Sequence, residues 1–295
     1  MSADQFLQYL ISGLTMGSIY ALVGLGFTII YAVTRIINFA QGEFVMLGGM
    51  LSFTLAVSAG LPLAPAIILS VLIAAAIGAI MYLFAIRPAR NASVVSLIII
   101  TIGVAIFIRG IAGELWGVDF VRPPYWAGSE SIRFFGAYIH PQALWIIGTT
   151  LAVTVLLHLF LSYTMVGKAL KACAINPRAA GLVGVNAKTM ALIAFALAAA
   201  IGGIGGVVMA PLTLTSYNVG VMLGLKGFVA ASIGGFKSPI AAVVGGITLG
   251  IIESLSVGLD WGPFTSAYKD VIALVVLLLI LLLWSGRLTE EERAG

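Results

Sequence analysis

Apolar positions along this chain come in long unbroken runs rather than in alternation or a narrow helical stripe. Runs of roughly 17 to 25 apolar residues are long enough to cross a bilayer as helices. The sequence offers them at residues 6–31, 43–58, 62–86, 93–112, 142–163, 189–210, 239–257 and 268–284. A ninth, shorter run at 219–236 is interrupted by Lys226, so it either crosses or dips in and returns. The pattern predicts an all-α polytopic membrane protein with about 8–9 transmembrane helices, one or two of them broken or re-entrant. Residues 1–295 then form a single transmembrane domain.

Composition sharpens this picture. Hydrophobic residues make up 61% of the chain and charged residues 9%, and the mean hydropathy is +1.15, too apolar to cover a soluble surface. The net charge is +4, but the basic residues fall between the apolar runs, which makes them topology determinants and argues against nucleic acid as a partner. Arg35, Arg87 and Arg90, then Lys168, Lys171, Arg178 and Lys188, fall in alternate breaks, whereas Glu114, Asp119 and Glu130 share the long break between the fourth and fifth runs. The positive-inside rule puts the basic set in the cytoplasm and the N-terminus outside. The same rule favours a crossing by the ninth run, which places Lys237 inside and Asp260 and Asp270 outside. No cleavable signal peptide is expected, because Arg35 is the first cation and the first apolar run is too long for one.

Three breaks carry candidate function. Residues 36–42, IINFAQG, put Asn38, Gln41 and Glu43 between two runs with almost no room for a loop. This is either a tight turn or a backbone interruption that lines a cavity. Residues 113–140 hold Trp116, Phe120, Pro123, Pro124, Tyr125 and Trp126, the make-up of an interfacial lid or, more sharply, of a docking surface for an external partner. Residues 162–188 carry four cations and no acid. They include a short helix with Asn176 as cap, Pro177 at its first position and Gly184 to end it. Within the runs, Ala194, Ala198, Gly202 and Gly206, and separately Gly246 and Gly250, recur every four residues as stripes for helix packing. FVMLGG at residues 44–49 and FVAASIGG at 228–235 form a faint internal echo of two related halves. Lys226 and Glu253 are costly inside a membrane, and their predicted depths match, so they are expected to form an intramembrane ion pair. Arg109 is expected to snorkel to the interface.

Catalytic constellations are absent. There is no phosphate-binding loop, serine elbow or His-Glu metal motif, Cys173 is the single cysteine, and His140 and His158 stand alone, so no catalytic group, metal or cofactor is expected.

Taken together, GLTMGSIYALVGLGFTIIYAVTRIINFAQGEFVMLGG, RPAR at residues 87–90, GKALKACAINPRAAGLVGVN, GLKGFVAASIGG and YKD at 268–270 resemble the LivH-type permease subunit of bacterial branched-chain amino acid ABC importers over nearly the whole chain. The resemblance implies the ABC importer permease fold in the cell inner membrane, surrounded by membrane lipid and working without enzyme activity of its own. Separate ABC ATPase subunits would bind the ATP, a periplasmic substrate-binding protein would deliver substrate, and a second, related permease would complete a heterodimer. It further implies that residues 162–188 are the cytoplasmic coupling loop, with Asn176, Pro177, Arg178 and Gly184 facing the ATPase, and that 113–140 is periplasmic. Asn38, Gln41 and Glu43 would border the translocation pathway. The resemblance leaves the substrate open among branched-chain or other hydrophobic amino acids, urea, short amides and aromatic acids. The tail, WSGRL, departs from the pattern of such relatives. A single-chain, ion-coupled carrier or channel using Glu43, Lys226 and Glu253 is the competing reading.

Overall fold

The computed structural model describes residues 2–89, 92–236 and 238–258, together with 270, 271, 274–276, 278 and 279. The run at 268–284, most of YKD, and the tail motif therefore lie largely outside the described residues, as do Arg90, Lys237 and Asp260.

Between residues 2 and 258, ten helices follow one another among the described residues: α1 Ala3–Thr34, α2 Gln41–Phe53, α3 Leu63–Met81, α4 Val94–Trp116, α5 Pro141–Tyr163, α6 Met165–Ile175, α7 Pro177–Leu182, α8 Ala187–Thr213, α9 Val219–Ile233 and α10 Pro239–Gly258. The helices α2 and α3 each end in a π-helical turn, Thr54–Ser58 and Tyr82–Ile86. A short hairpin interrupts the all-helical expectation: β1 Ile132–Phe134 pairs antiparallel with β2 Ala137–Ile139 in the loop before α5. Its turn is permitted by Gly136 at φ 87°.

Among the described residues six helical segments are long and apolar enough to cross a membrane: Asp4–Thr34, Leu63–Ile86, Val94–Trp116, Pro141–Tyr163, Ala187–Thr213 and Pro239–Gly258. The helices α2 and α9 are different. With 13 residues plus a 5-residue π-helical turn for α2 and 15 residues for α9, they span at most about 27 and 23 Å at 1.5 Å per residue, short of the ~30 Å hydrocarbon core. Each is preceded by non-helical chain, at residues 36–38 and 214–216. The Gln41 amide bonds the Ala198 carbonyl, halfway along α8. Gly42, at the start of α2, lies against Gly220 and Gly224 near the start of α9. The two half-helices thus begin back to back in the middle of the protein and run to opposite ends. Because α8 finishes beside the hairpin loop and α10 starts beside the far end of α1, the chain crosses between them, as the charge pattern favours.

The halves are intertwined. Helices α2 and α3 pack mainly on α8 and α10 mainly on α1, while α9 packs about equally on α1 and α10, so each half-helix leans on the long helix of the other half. The echo strings do fall on α2 and α9, but out of register: Phe44 is the fourth residue of α2 and Phe228 the tenth of α9.

Small residues make this interlock possible. Gly206 sits against the Val45 carbonyl, Gly48 against Gly203, Gly246 against Ala21 and Gly250 against Gly17, with no room for a methyl group at any of them. Backbones in such contact gain dispersion that bulkier residues would prevent, which is how helices associate where lipid gives no hydrophobic drive. Helices α1 and α8 are buried along most of their length, whereas α3, α4 and α5 turn Leu72, Phe84, Ile99, Phe107 and Leu156 outward. This is the inverted polarity of a protein solvated by lipid.

Gly206→Ala is expected to cost about 1–3 kcal/mol through overpacking, read as a lower apparent Tm of the detergent-purified protein. Gly103→Ala on α4, with nothing within 4 Å of the added carbon, is expected to leave it unchanged.

Candidate functional site

The break at residues 36–40 keeps its backbone satisfied by borrowing side chains. Asn38 Oδ1 accepts from the Ala40 amide at 3.1 Å, folding an Asx-type turn. The Phe39 amide donates to Thr101 Oγ1 on α4 at 3.2 Å. Gln41 Nε2 donates to the Ala198 carbonyl at 2.9 Å. Asn38, Gln41 and Glu43 are therefore inside the packed protein, each 1% exposed or less, and none of them lines the three cavities of 230–310 Å³ described below and under the further inference. Asn38 Nδ2, Gln41 Oε1 and Glu43 Oε2 are buried without a hydrogen-bond partner among the described residues.

Glu43 is held by Arg109, the residue expected to snorkel to the interface. Arg109 Nη2 on α4 donates to Glu43 Oε1 at 2.7 Å and its Nε to the same oxygen at 3.3 Å. Snorkelling to the interface does not describe this side chain, because its guanidinium is turned onto a buried carboxylate in a charge-assisted hydrogen bond. The other carboxylate oxygen lies 2.6 Å from where a Cβ on Gly220 would stand. Glu43 thus sits in the first turn of α2 and beside the first turn of α9. Neither helix start has a side-chain cap, so one negative charge faces two positive helix ends.

A second polar cluster ties α1, α9 and α10. Lys226 Nζ lies 2.7 Å from Glu253 Oε1 and 2.7 Å from Asp270 Oδ1. It also donates to Tyr20 Oη at 3.1 Å, and that phenol donates to Glu253 Oε2 at 2.9 Å. All of the ammonium's donors are used, and each Glu253 oxygen has a partner, which is the condition under which a buried charge pair is tolerated. The sequence brings Lys226 and Glu253 to attention as charges, whereas Tyr20, one aromatic in a long apolar run, gives no such signal. Glu253 also borders a 230 Å³ cavity with Tyr9, Ser12, Met16 and Ser254. On the other flank of α1, Gln8 clasps the hairpin, donating to the Tyr138 carbonyl at 3.1 Å and accepting from its amide at 2.7 Å. A 280 Å³ cavity lies there, lined by Gln8, Thr15, Tyr138 and His140.

The third site is the pair α6–α7. Asn176 is at once the last cap of α6 and the first of α7, its Oδ1 accepting from the Arg178 and Ala179 amides at 3.0 Å each. Pro177 opens α7. Gly184, at φ 88°, closes it: the Gly184 and Val185 amides bond the Gly181 and Ala180 carbonyls at 3.1 and 3.0 Å, a Schellman ending. Arg178 is exposed. So are Ile175, Leu182 and Val183, at 85%, 90% and 79%, an apolar set that marks a surface for another protein and that attention to charge alone overlooks. The pair is anchored to the membrane helices by Arg35, whose Nη2 donates to the Ala174 carbonyl at 2.9 Å. Burial pushes the Cys173 thiol on α6 up, which makes it inert packing rather than a nucleophile. Among the described residues no group of three or more His, Cys, Asp or Glu comes together to hold a metal.

Residues 9–281 match the family model described as branched-chain amino acid transport system, permease component. The high-affinity branched-chain amino acid transport system permease protein LivH of Escherichia coli strain K12 is 33% identical over 94% of this chain and 93% of its own length. BraD of Pseudomonas aeruginosa, a permease protein of the same description, is 32% identical over 94% and 93%. The galactofuranose transporter permease protein YtfT of Escherichia coli is 28% identical over 90% of this chain and 76% of its own. Among solved structures, PsaBC from Streptococcus pneumoniae in complex with Fab is 16% identical with a TM-score of 0.49, covering 93% of this chain and 90% of that one.

Removing one partner of the buried cluster strands the others. Lys226→Ala is expected to destabilise the protein by about 3–5 kcal/mol, read as loss of folded, monodisperse protein after extraction. Lys226→Met combined with Glu253→Leu and Tyr20→Phe, which leaves only the part-exposed Asp270 of the cluster, is expected to recover most of that yield.

Proposed function

Since the chain belongs to the family of permease components of branched-chain amino acid transport systems, we propose that it carries branched-chain or other hydrophobic amino acids across the inner membrane, using ATP hydrolysed by ATPase subunits outside this chain. The family is a transport component, not an enzyme. The observation that carries the assignment of force input is the capped α7 with its exposed Arg178, Leu182 and Val183. None of the described residues covers that surface, and a motor subunit could use it.

In this reading residues 162–188 are the cytoplasmic coupling loop, with Asn176, Pro177, Arg178 and Gly184 shaping the face that meets the ATPase. The loop 113–140 is periplasmic and receives a substrate-binding protein. Aromatic residues and the Gln8 clasp hold the hairpin at that end. A second, related permease completes the transporter as a heterodimer, since one chain of this kind walls only one side of a route.

The route borders the point where α2 and α9 begin. Asn38, Gln41 and Glu43 present there the buried polar atoms that lack partners in the closed packing. Such atoms are costly while unpaired, and they gain partners when the half-helices part and a hydrated, zwitterionic substrate passes. A helix that stops in mid-protein can shift without dragging a full span with it. Lys226, Glu253, Asp270 and Tyr20 hold α9 to α1 and α10 as that happens.

Four measurements test this. Arg178→Glu with Leu182→Asp is expected to abolish co-purification of the ATPase, while Asn176→Ala costs the α7 cap about 1 kcal/mol and weakens substrate-stimulated hydrolysis. Unchanged assembly and hydrolysis in both would overturn the coupling assignment. Gln41→Leu is expected to slow uptake in proteoliposomes with ATPase assembly intact. Uptake of leucine, isoleucine and valine in preference to urea and to galactofuranose, with the cognate binding protein present, identifies the substrate class.

A further inference from the structure

Beneath the basic end of the bundle, the helix ends of α1, α5, α6 and α10 leave a 310 Å³ cavity between them. Its walls are Ile29, Ala32 and Val33 from α1, Leu161 from α5 and Leu170 from α6, with Lys171 at its mouth. Helix α6 buries Leu170 and Cys173 and leaves Lys168 and Lys171 exposed, the division of a helix lying in a membrane interface. Lys171 Nζ bonds a neutral hydroxyl, Ser162 Oγ, at 3.1 Å. Arg35 bonds the Ala174 carbonyl on the cavity wall and the face of Tyr31, its guanidinium 5.7 Å from that ring's centre. Among the described residues neither cation has a carboxylate partner. From Ser131 to Ile252 the sequence contains no Asp or Glu, and Glu43 and Glu253 are committed to Arg109 and Lys226. An apolar chamber with one cation, Lys171, in its lining and a second, Arg35, bonded to its wall, neither paired with a carboxylate among the described residues, has the complementary form of one kind of molecule.

We propose that this cavity is a binding site for an anionic phospholipid, with an acyl chain between α1, α5 and α6 and the headgroup phosphate on Lys171 and Arg35. The proposal rests on the reading of the basic end as cytoplasmic and therefore places the lipid in the inner leaflet. It does not depend on which substrate is carried. The lipid wedges α6, which leads into the coupling helix, against α1, so an anionic bilayer steadies the contact that hands motion to the membrane helices. The apolar wall selects a chain, and the cations select the charge of its head.

The test extracts the assembled transporter from membranes containing both phosphatidylethanolamine and phosphatidylglycerol and quantifies the lipid that stays bound by mass spectrometry. The unaltered protein is expected to hold phosphatidylglycerol above its share of the bulk membrane. Lys171→Gln should lower that retention about fivefold, the worth of one basic residue near an anionic surface, with phosphatidylethanolamine unchanged. Ala32→Trp, which fills the chamber, should reduce both lipids at this site. Elution volume and apparent Tm establish that each variant is folded. Equal phosphatidylglycerol in all three proteins, bulk lipid composition in the unaltered one, or displacement by inorganic phosphate alone would each overturn the proposal. None of these readouts involves transport, so the lipid site and the transport assignment stand or fall separately.

Discussion

Every backbone amide that leaves a helix inside a membrane must find another partner, and this requirement shapes the centre of the molecule. The chain breaks its helices twice at depth, before α2 and before α9, and each break is satisfied by protein rather than by lipid or solvent. Thr101 and Asn38 serve the first. A two-residue bridge between Thr215 and Val121 serves the second. An unpaired amide in hydrocarbon costs several kcal/mol. The elements supplying these partners, α4 for one break and the long outer loop for the other, are therefore tied to the centre however peripheral their positions.

Interlocking follows from the same breaks. A half-helix cannot bury its flanks against its own predecessor in the chain, because the non-helical segment carries it away. Helix α2 settles on α8, and α9 on α1. Close contact then depends on glycine facing backbone at Gly42, Gly48, Gly206, Gly246 and Gly250. Charge is distributed on the same plan: Glu43 with Arg109 joins α2 to α4 at the start of α9, and the Lys226 group joins α9 to α1 and α10. The fold has few polar contacts within its core, and most of them bind segments distant in sequence.

The membrane-spanning runs, the break at residues 36–42 and the capped helix after Asn176 were legible in the sequence because each rests on local signals: length of apolar runs, Asn and Gln where a span should continue, Asn-Pro before and Gly after a short helix. The pairing of Lys226 with Glu253 was legible because the two helices are consecutive and depth can be counted along them. Arg109 was not, since its partner lies 66 residues away on a helix whose neighbours the sequence does not reveal. Tyr20 and the apolar rim of α7 were invisible for a different reason: in a chain this hydrophobic, one more aromatic or aliphatic residue carries no information until its surroundings are known. The hairpin at 132–139 and the second break, at residues 214–218, look in sequence like ordinary loop.

Arg35 holds a position whose mechanical meaning comes from its two sides. On one, its backbone, at φ 59°, is where the long rod of α1 stops and the deep break begins. On the other, its guanidinium grips the end of α6, and Asn176 joins that end rigidly to α7. A torque applied to α7 therefore reaches the fulcrum of α1 through one hydrogen bond and one shared cap, a linkage only a few residues long. A linkage that short has little slack, so a small tilt at the surface arrives as strain at the single joint from which the half-helix α2 departs.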